Sequence, residues 1–159
     1  MKSGAGPGPS AGAMDEAVGK AEAAFRSNPG DLNAAAALAS VYAQQGRTAD
    51  VVRIADTLLN NPKADVQMIS FAAQVYQQVV NYPRLEQALQ RWSTVAPTPE
   101  LLLDYAAVQA VQGKGPPALV ALRQALALSN ERLKTNDKAE NLAKSVPNDL
   151  RFADRKSVV

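Results

Sequence analysis

Glu100 and Asp104 stand four residues apart, the spacing that puts two carboxylates on one face of a helix. Paired carboxylates can divide acid–base work between them, but on a solvated helix face such a pair is ordinary surface charge. Gly113-Lys114-Gly115 brings two glycines and a lysine together, yet it lacks the spacing of a phosphate-binding loop and has no strand before it. Asp15-Glu16 suits the positive end of a dipole where a helix opens. The chain contains no cysteine and no histidine, which excludes disulfides, thiolate zinc sites, cysteine nucleophiles and every histidine-based proton transfer. No catalytic residue, metal ligand or cofactor motif is expected, and the chain reads as a non-enzyme.

The elements that carry these residues are helices. Alanine, leucine, valine and glutamine dominate, while aromatics make up only 5%, so strand-forming runs are missing. Alanine loses no side-chain entropy in a helix, and leucine and glutamine lose little. An all-α fold follows. The net charge of +2 is spread along the chain, whereas nucleic-acid binding needs a clustered basic surface. No apolar run approaches the roughly 20 residues of a membrane span, so direct membrane insertion is not expected. The chain reads as a soluble domain, cytoplasmic or exported as part of a larger protein. Residues 1–13 hold four Gly, two Pro and two Ser without a signal-peptide core, and read as a flexible leader or linker.

Self-similarity organises the rest. Tyr42 and Tyr76 lie 34 residues apart, and the same offset relates Val51 to Leu85, Ala55 to Leu89 and Leu58 to Trp92. An offset of 33 carries these on to Ala118, Leu122 and Ala125. Within each unit the apolar positions follow helical spacing: Ala35, Leu38, Ala39 and Tyr42, then Val51, Ile54, Ala55 and Leu58. The second unit repeats this with Ile69, Ala72, Ala73 and Tyr76, then Leu85, Leu89 and Trp92. The third uses Leu102, Tyr105 and Ala106, then Leu119, Leu122, Ala125 and Leu126. Gly46 and Gly113 sit where a first helix must end, and Pro29, Pro62 and Pro97 close successive units. Small residues at Ala39, Ala73 and Ala106 allow close helix crossing.

This pattern resembles the tetratricopeptide (TPR) family over about residues 14–130. It departs from the family in the first-helix tryptophan, which is Ala35, Ile69 and Leu102 here. Val80 replaces the second turn glycine, and Gln109 falls where tyrosine is preferred. The resemblance implies a right-handed α-solenoid of helix-turn-helix hairpins with a C-terminal capping helix. The expected divisions are a leader at 1–13, a half-repeat helix at 14–29 and three units at 30–62, 63–97 and 98–130. A capping segment and frayed tail take 131–159. Ala17, Ala21 and Ala24 stand at the family's small positions in the half-repeat. The cap is expected as a helix from about Asp137 to Ser145, with Leu142, Val146, Leu150 and Phe152 covering the last repeat. The stretch from Ala118 to Phe152 looks like the ends of repeat arrays in large bacterial proteins, some of them membrane-anchored.

The resemblance also implies a concave groove that holds a protein or peptide ligand. Carried over position by position, the first unit supplies Asn33, Ala36, Ser40, Ala43 and Gln44. The second supplies Gln67, Ser70, Gln74, Gln77 and Gln78, with Phe71 beside them. Glu100, Leu103, Ala107, Ala110 and Val111 come from the third. This set contains no Lys or Arg, so a chaperone C-terminal carboxylate is not the expected partner. Its amides can pair with the backbone of an extended peptide, or can be ordinary solvated helix formers. Leu103, Ala107, Ala110 and Val111 form either an anchor pocket or a surface covered by the C-terminal tail. Tyr42, Tyr76 and Trp92 are expected in the core. A structural or self-assembling solenoid is the alternative function.

Overall fold

The structure, a computed structural model, describes residues 11–149 and 151. Expectations for residues 1–10, for Leu150 and Phe152 and for the end of the tail lie outside these. The order is α1 (Ala11–Ser27), α2 (Leu32–Gln44), α3 (Thr48–Asn60), α4 (Val66–Gln78), α5 (Tyr82–Val95), α6 (Pro99–Val111), α7 (Gly115–Thr135) and α8 (Leu142–Ser145). A short 3₁₀ turn, Val146–Asn148, follows. No strand occurs among the described residues, and the fold is an all-α array of helical hairpins. Contacts divide it into two units, Met1–Met68 and Ile69–Val159, with the division falling inside α4.

In the first unit α2 packs on both α1 and α3. Asp31 starts α2 by accepting hydrogen bonds from the backbone N–H groups of Asn33 (2.9 Å) and Ala34 (3.3 Å). The expected stripe of Ala35, Leu38, Ala39 and Tyr42 is buried along α2, and Ile54, Ala55, Leu58 and Leu59 are buried along α3. The α1 face is rotated from the one expected. Val18 is its buried residue, with Ala21, Glu22 and Phe25 half-buried, while Ala17 and Ala24 are exposed. Among the described residues the helix already includes Ala11, so Asp15-Glu16 lies inside it, where Glu16 pairs with Lys20 at 2.8 Å. The Tyr42 hydroxyl donates to the Glu22 carboxylate of α1, and the Arg47 guanidinium lies 4.2 Å from the Tyr42 ring centroid. Burial first, then that contact with Glu22, holds the Tyr42 phenol above its ordinary pKa. One side chain thus fastens the α1–α2 contact to the α2–α3 turn.

The three turns between paired helices share one geometry. After α2, Gly46 has φ +69° and Arg47 N–H donates to the Tyr42 carbonyl at 2.9 Å. After α6, Gly113 has φ +77° and Lys114 N–H reaches the Gln109 carbonyl at 2.9 Å. After α4, Asn81 N–H reaches the Tyr76 carbonyl at 2.8 Å, so Val80 occupies the same left-handed position at φ 56°. This six-to-one bond is the Schellman cap. It aligns Tyr42, Tyr76 and Gln109 at spacings of 34 and then 33, so one residue is lost between the start of α4 and the start of α6.

A β-branched residue in the left-handed region carries about 1–2 kcal/mol of strain. Asn81 partly compensates, because its side chain accepts from Arg84 N–H at 3.2 Å and starts α5. Val80 is itself 59% exposed, so replacing it removes little packing. Val80→Gly is therefore expected to raise the unfolding free energy by about 0.5–1 kcal/mol, net of the extra entropy of glycine in the unfolded chain. Urea denaturation reads this directly, and an unchanged or lower midpoint would remove the strain from the description.

In the second unit α6 packs against both α5 and α7. It is accordingly buried nearly all round, from Pro99 and Leu101–Leu103 through Ala106–Ala110. Thr98 caps it, accepting from Leu101 N–H at 3.1 Å, with Pro99 pre-organised in the first turn. The core gathers Leu102, Leu103, Ala106, Ala107 and Ala110 with Ala118, Ala121, Leu122 and Ala125 of α7. Leu142 and Val146 of the cap complete it, at 1% and 4% exposure.

The cap differs from the expected helix over Asp137–Ser145. Asn136 terminates α7 and accepts from Lys138 N–H at 3.2 Å, and Asn141 accepts from Ala143 N–H at 3.0 Å. These side chains compete with a helical backbone, so residues 137–141 turn and only Leu142–Ser145 is helical. Pro147 does not follow the stop but lies within the 3₁₀ turn. Ser129 of α7 pins the cap, accepting from Leu142 N–H at 3.2 Å and donating to the Glu140 carbonyl at 3.3 Å.

Candidate functional site

The second unit contains a cavity of about 480 Å³ lined by α4, α5, α6 and Arg151. Helical spacing explains its wall. Ser70, Ala73, Gln74 and Gln77 recur every three or four residues on α4, as do Asp104, Ala107, Val108 and Val111 on α6. Tyr82, Leu85, Leu89 and Trp92 line it from α5. Ala73 and Ala107 are small, which leaves the space open, while Leu85, Leu89 and Val108 make apolar walls. Gln74 and Gln77 are exposed, as are Tyr82 and Val111. The arrangement is an apolar hollow bordered by amides that both donate and accept.

Of the residues expected in a groove, Ser70, Gln74, Gln77, Ala107 and Val111 line this cavity together. Gln78 is exposed and Phe71 half-buried, and neither lines it. Leu103 and Ala110 belong to the α6–α7 core instead. Glu100 pairs with Arg132 of α7 at 2.6 Å. Asn33, Ala36, Ser40, Ala43, Gln44 and Gln67 are exposed in the first unit. None of them lines that unit's own cavity of about 390 Å³, which lies among Glu22, Phe25, Leu38, Tyr42, Asp50 and Ile54.

Several lining residues were not expected. Trp92, placed in the core by its stripe, is half-buried and faces the hollow. The sequence spacing pairs Asp104 with Glu100, but in the structure each carboxylate holds a different arginine. Arg151, which is not among the carried-over groove positions, also reaches the cavity from the C-terminal segment. Its Nη1 donates to Asp104 Oδ1 at 2.6 Å, while Nε and Nη2 donate to Asp149 at 3.0 and 2.7 Å. No local motif signals a contact that spans 47 positions. The hydrogen bond from Arg151, opposed in part by burial, holds the Asp149 carboxyl below the usual carboxylate range.

Two further carboxylates stabilise the frame. Burial pushes the Glu86 carboxyl up, but hydrogen bonds from Lys114 and Gln112, the Lys114 charge and a bond from Gln109 together hold it low. Lys114, the lysine of the Gly-Lys-Gly stretch, bonds Glu86 at 2.6 Å. The Arg132 hydrogen bond holds Glu100 low as well, against some burial. A carboxylate whose folded pKa is depressed stabilises the fold fully above its unfolded pKa, about 4. That stabilisation is lost as the pH falls through the folded values. The second unit is therefore expected to keep a constant urea midpoint from pH 7 to about 5 and to lose stability below about pH 4. A midpoint unchanged at pH 3 would contradict these pairings.

Among the described residues no group of three or more His, Cys, Asp or Glu could hold a metal ion. No described helix is long and apolar enough to cross a membrane. The cavity presents apolar walls, amides and one acid already holding a guanidinium.

Neither a family model nor a curated protein matches the sequence. Among solved structures, a crystal structure of MamA matches at 14% identity with a TM-score of 0.50, covering 74% of this chain and 69% of that one. A second MamA crystal structure matches at 13% identity and a TM-score of 0.51, covering 75% of this chain and 66% of that one. The chain thus spans about two thirds of these TPR-like neighbours, and the likeness shows an all-α repeat fold.

Proposed function

We propose that the protein is a non-catalytic binding module that holds a protein or peptide segment against the cavity on α4, α5 and α6. The observation that carries this reading is the joining of exposed amides, Gln74 and Gln77, to an apolar hollow with Val111 and Tyr82 exposed at its wall. Amides satisfy the backbone of an extended ligand, and the hollow takes its apolar side chains. A paired capture from lysate tests it. One bait is the wild-type chain; the other carries Gln74→Glu and Gln77→Glu, with circular dichroism showing that it folds. Proteins held by the first and lost by the second are the expected result. Identical recoveries would overturn the reading.

A second reading is self-association, in which the module is a structural part of a larger bacterial protein. It draws on Arg151, since a C-terminal segment of another copy could occupy the same place. Sedimentation over a wide concentration range separates the two, because an assembly domain gains mass with concentration and a monomeric receptor does not.

A further inference from the structure

Building on the peptide-binding reading, we propose that the ligand of this cavity carries an arginine that Asp104 accepts, and that Arg151 holds that place in cis until the ligand displaces it. Asp104 lies on the cavity wall with its side chain 53% exposed, so its carboxylate is open to a ligand from outside. The structure shows what it takes, for the Arg151 guanidinium rests on it at 2.6 Å. That guanidinium uses its fork fully: Nη1 goes to Asp104, while Nε and Nη2 go to Asp149. A planar fork suits two carboxylates better than the point charge of lysine does.

The cis occupant is poised to leave. Arg151 is itself 40% exposed, and ion pairs this open to water are weak. Leu85, Leu89, Val108 and Val111 beside Asp104 give an apolar wall for the residues flanking the arginine. A ligand that supplies both an arginine and an apolar neighbour gains more than Arg151 alone holds.

The test uses the full chain and the fluorescence of Trp92, the only tryptophan, which lines the cavity. The probe is a synthetic peptide with the sequence of residues 147–154, PNDLRFAD, compared with versions in which its arginine is glutamine or lysine. Arg151→Ala should bind the arginine peptide about tenfold more tightly than the wild type, because the cis competitor is gone. Glutamine in the peptide, or Asp104→Asn added to Arg151→Ala, should each abolish that gain, and lysine should recover only part of it. Both positions are exposed, and matching circular dichroism spectra establish that the variants fold. Equal binding of the arginine and glutamine peptides would overturn the arginine while leaving a peptide site in place. Binding of no peptide by Arg151→Ala would overturn the inference, with the capture experiment deciding the underlying reading separately.

Discussion

Leu142→Ala is expected to lower the unfolding free energy of the second unit by about 2–4 kcal/mol. Leu142 is 1% exposed and sits in the core with Leu102, Leu122 and Ala125, although it belongs to a helix of only four residues. So short a helix has almost no stability of its own, and it persists because its side chain fills the α6–α7 core. Truncation leaves a cavity walled by α6 and α7 that the backbone cannot collapse to fill, because Ser129 still holds the cap at two hydrogen bonds. With a urea slope of about 1–1.5 kcal/mol/M for a unit of this size, the midpoint should fall by about 2 M. A shift under about 0.5 M would mean that the cap is an ornament on the last repeat and not part of its core.

The second large effect runs the other way in volume. Ala106→Leu is expected to cost about 1–3 kcal/mol by overpacking, since Ala106 is 0% exposed on a helix packed by α5 on one side and α7 on the other. Leucine is a good helix former, so propensity predicts almost no change and the whole effect reports on the crossing distance. Ala37→Leu on the exposed face of α2 is the control and should stay within about 0.5 kcal/mol of the wild type. Equal effects at the two positions would show that α6 has room the structure does not give it.

Much of this was legible in the residues because the hairpin is a local device. The stripes ending in Tyr42 and Tyr76 are buried, and Gly46 and Gly113 take the left-handed turns that helix ends require. What escaped was decided by neighbours. Val80 holds the turn glycine's place by its offset of 34 from Gly46, yet it is the Schellman bond after α4 that makes a valine take the glycine conformation there. Leu103 and Ala110 read as groove positions on a helix with one wet face, yet α5 and α7 both pack on α6 and bury them. A period of 3.6 cannot separate a half-buried helix from one enclosed on both sides when alanine and leucine fill every position. The cap shortened because Asn136 and Asn141 turn the chain by side-chain hydrogen bonds. Trp92 and Arg151 complete the cavity through contacts that no spacing rule connects.

The most direct measurement is to pan a library of random twelve-residue peptides in parallel on the wild-type chain and on Val111→Arg. Val111 is 42% exposed and lines the cavity, so arginine there fills the hollow while leaving the core intact. The cavity as the binding surface predicts peptides that bind the wild type with micromolar affinity and bind the variant at least tenfold more weakly. Peptides that bind both chains equally, or no enrichment on the wild type, would contradict it.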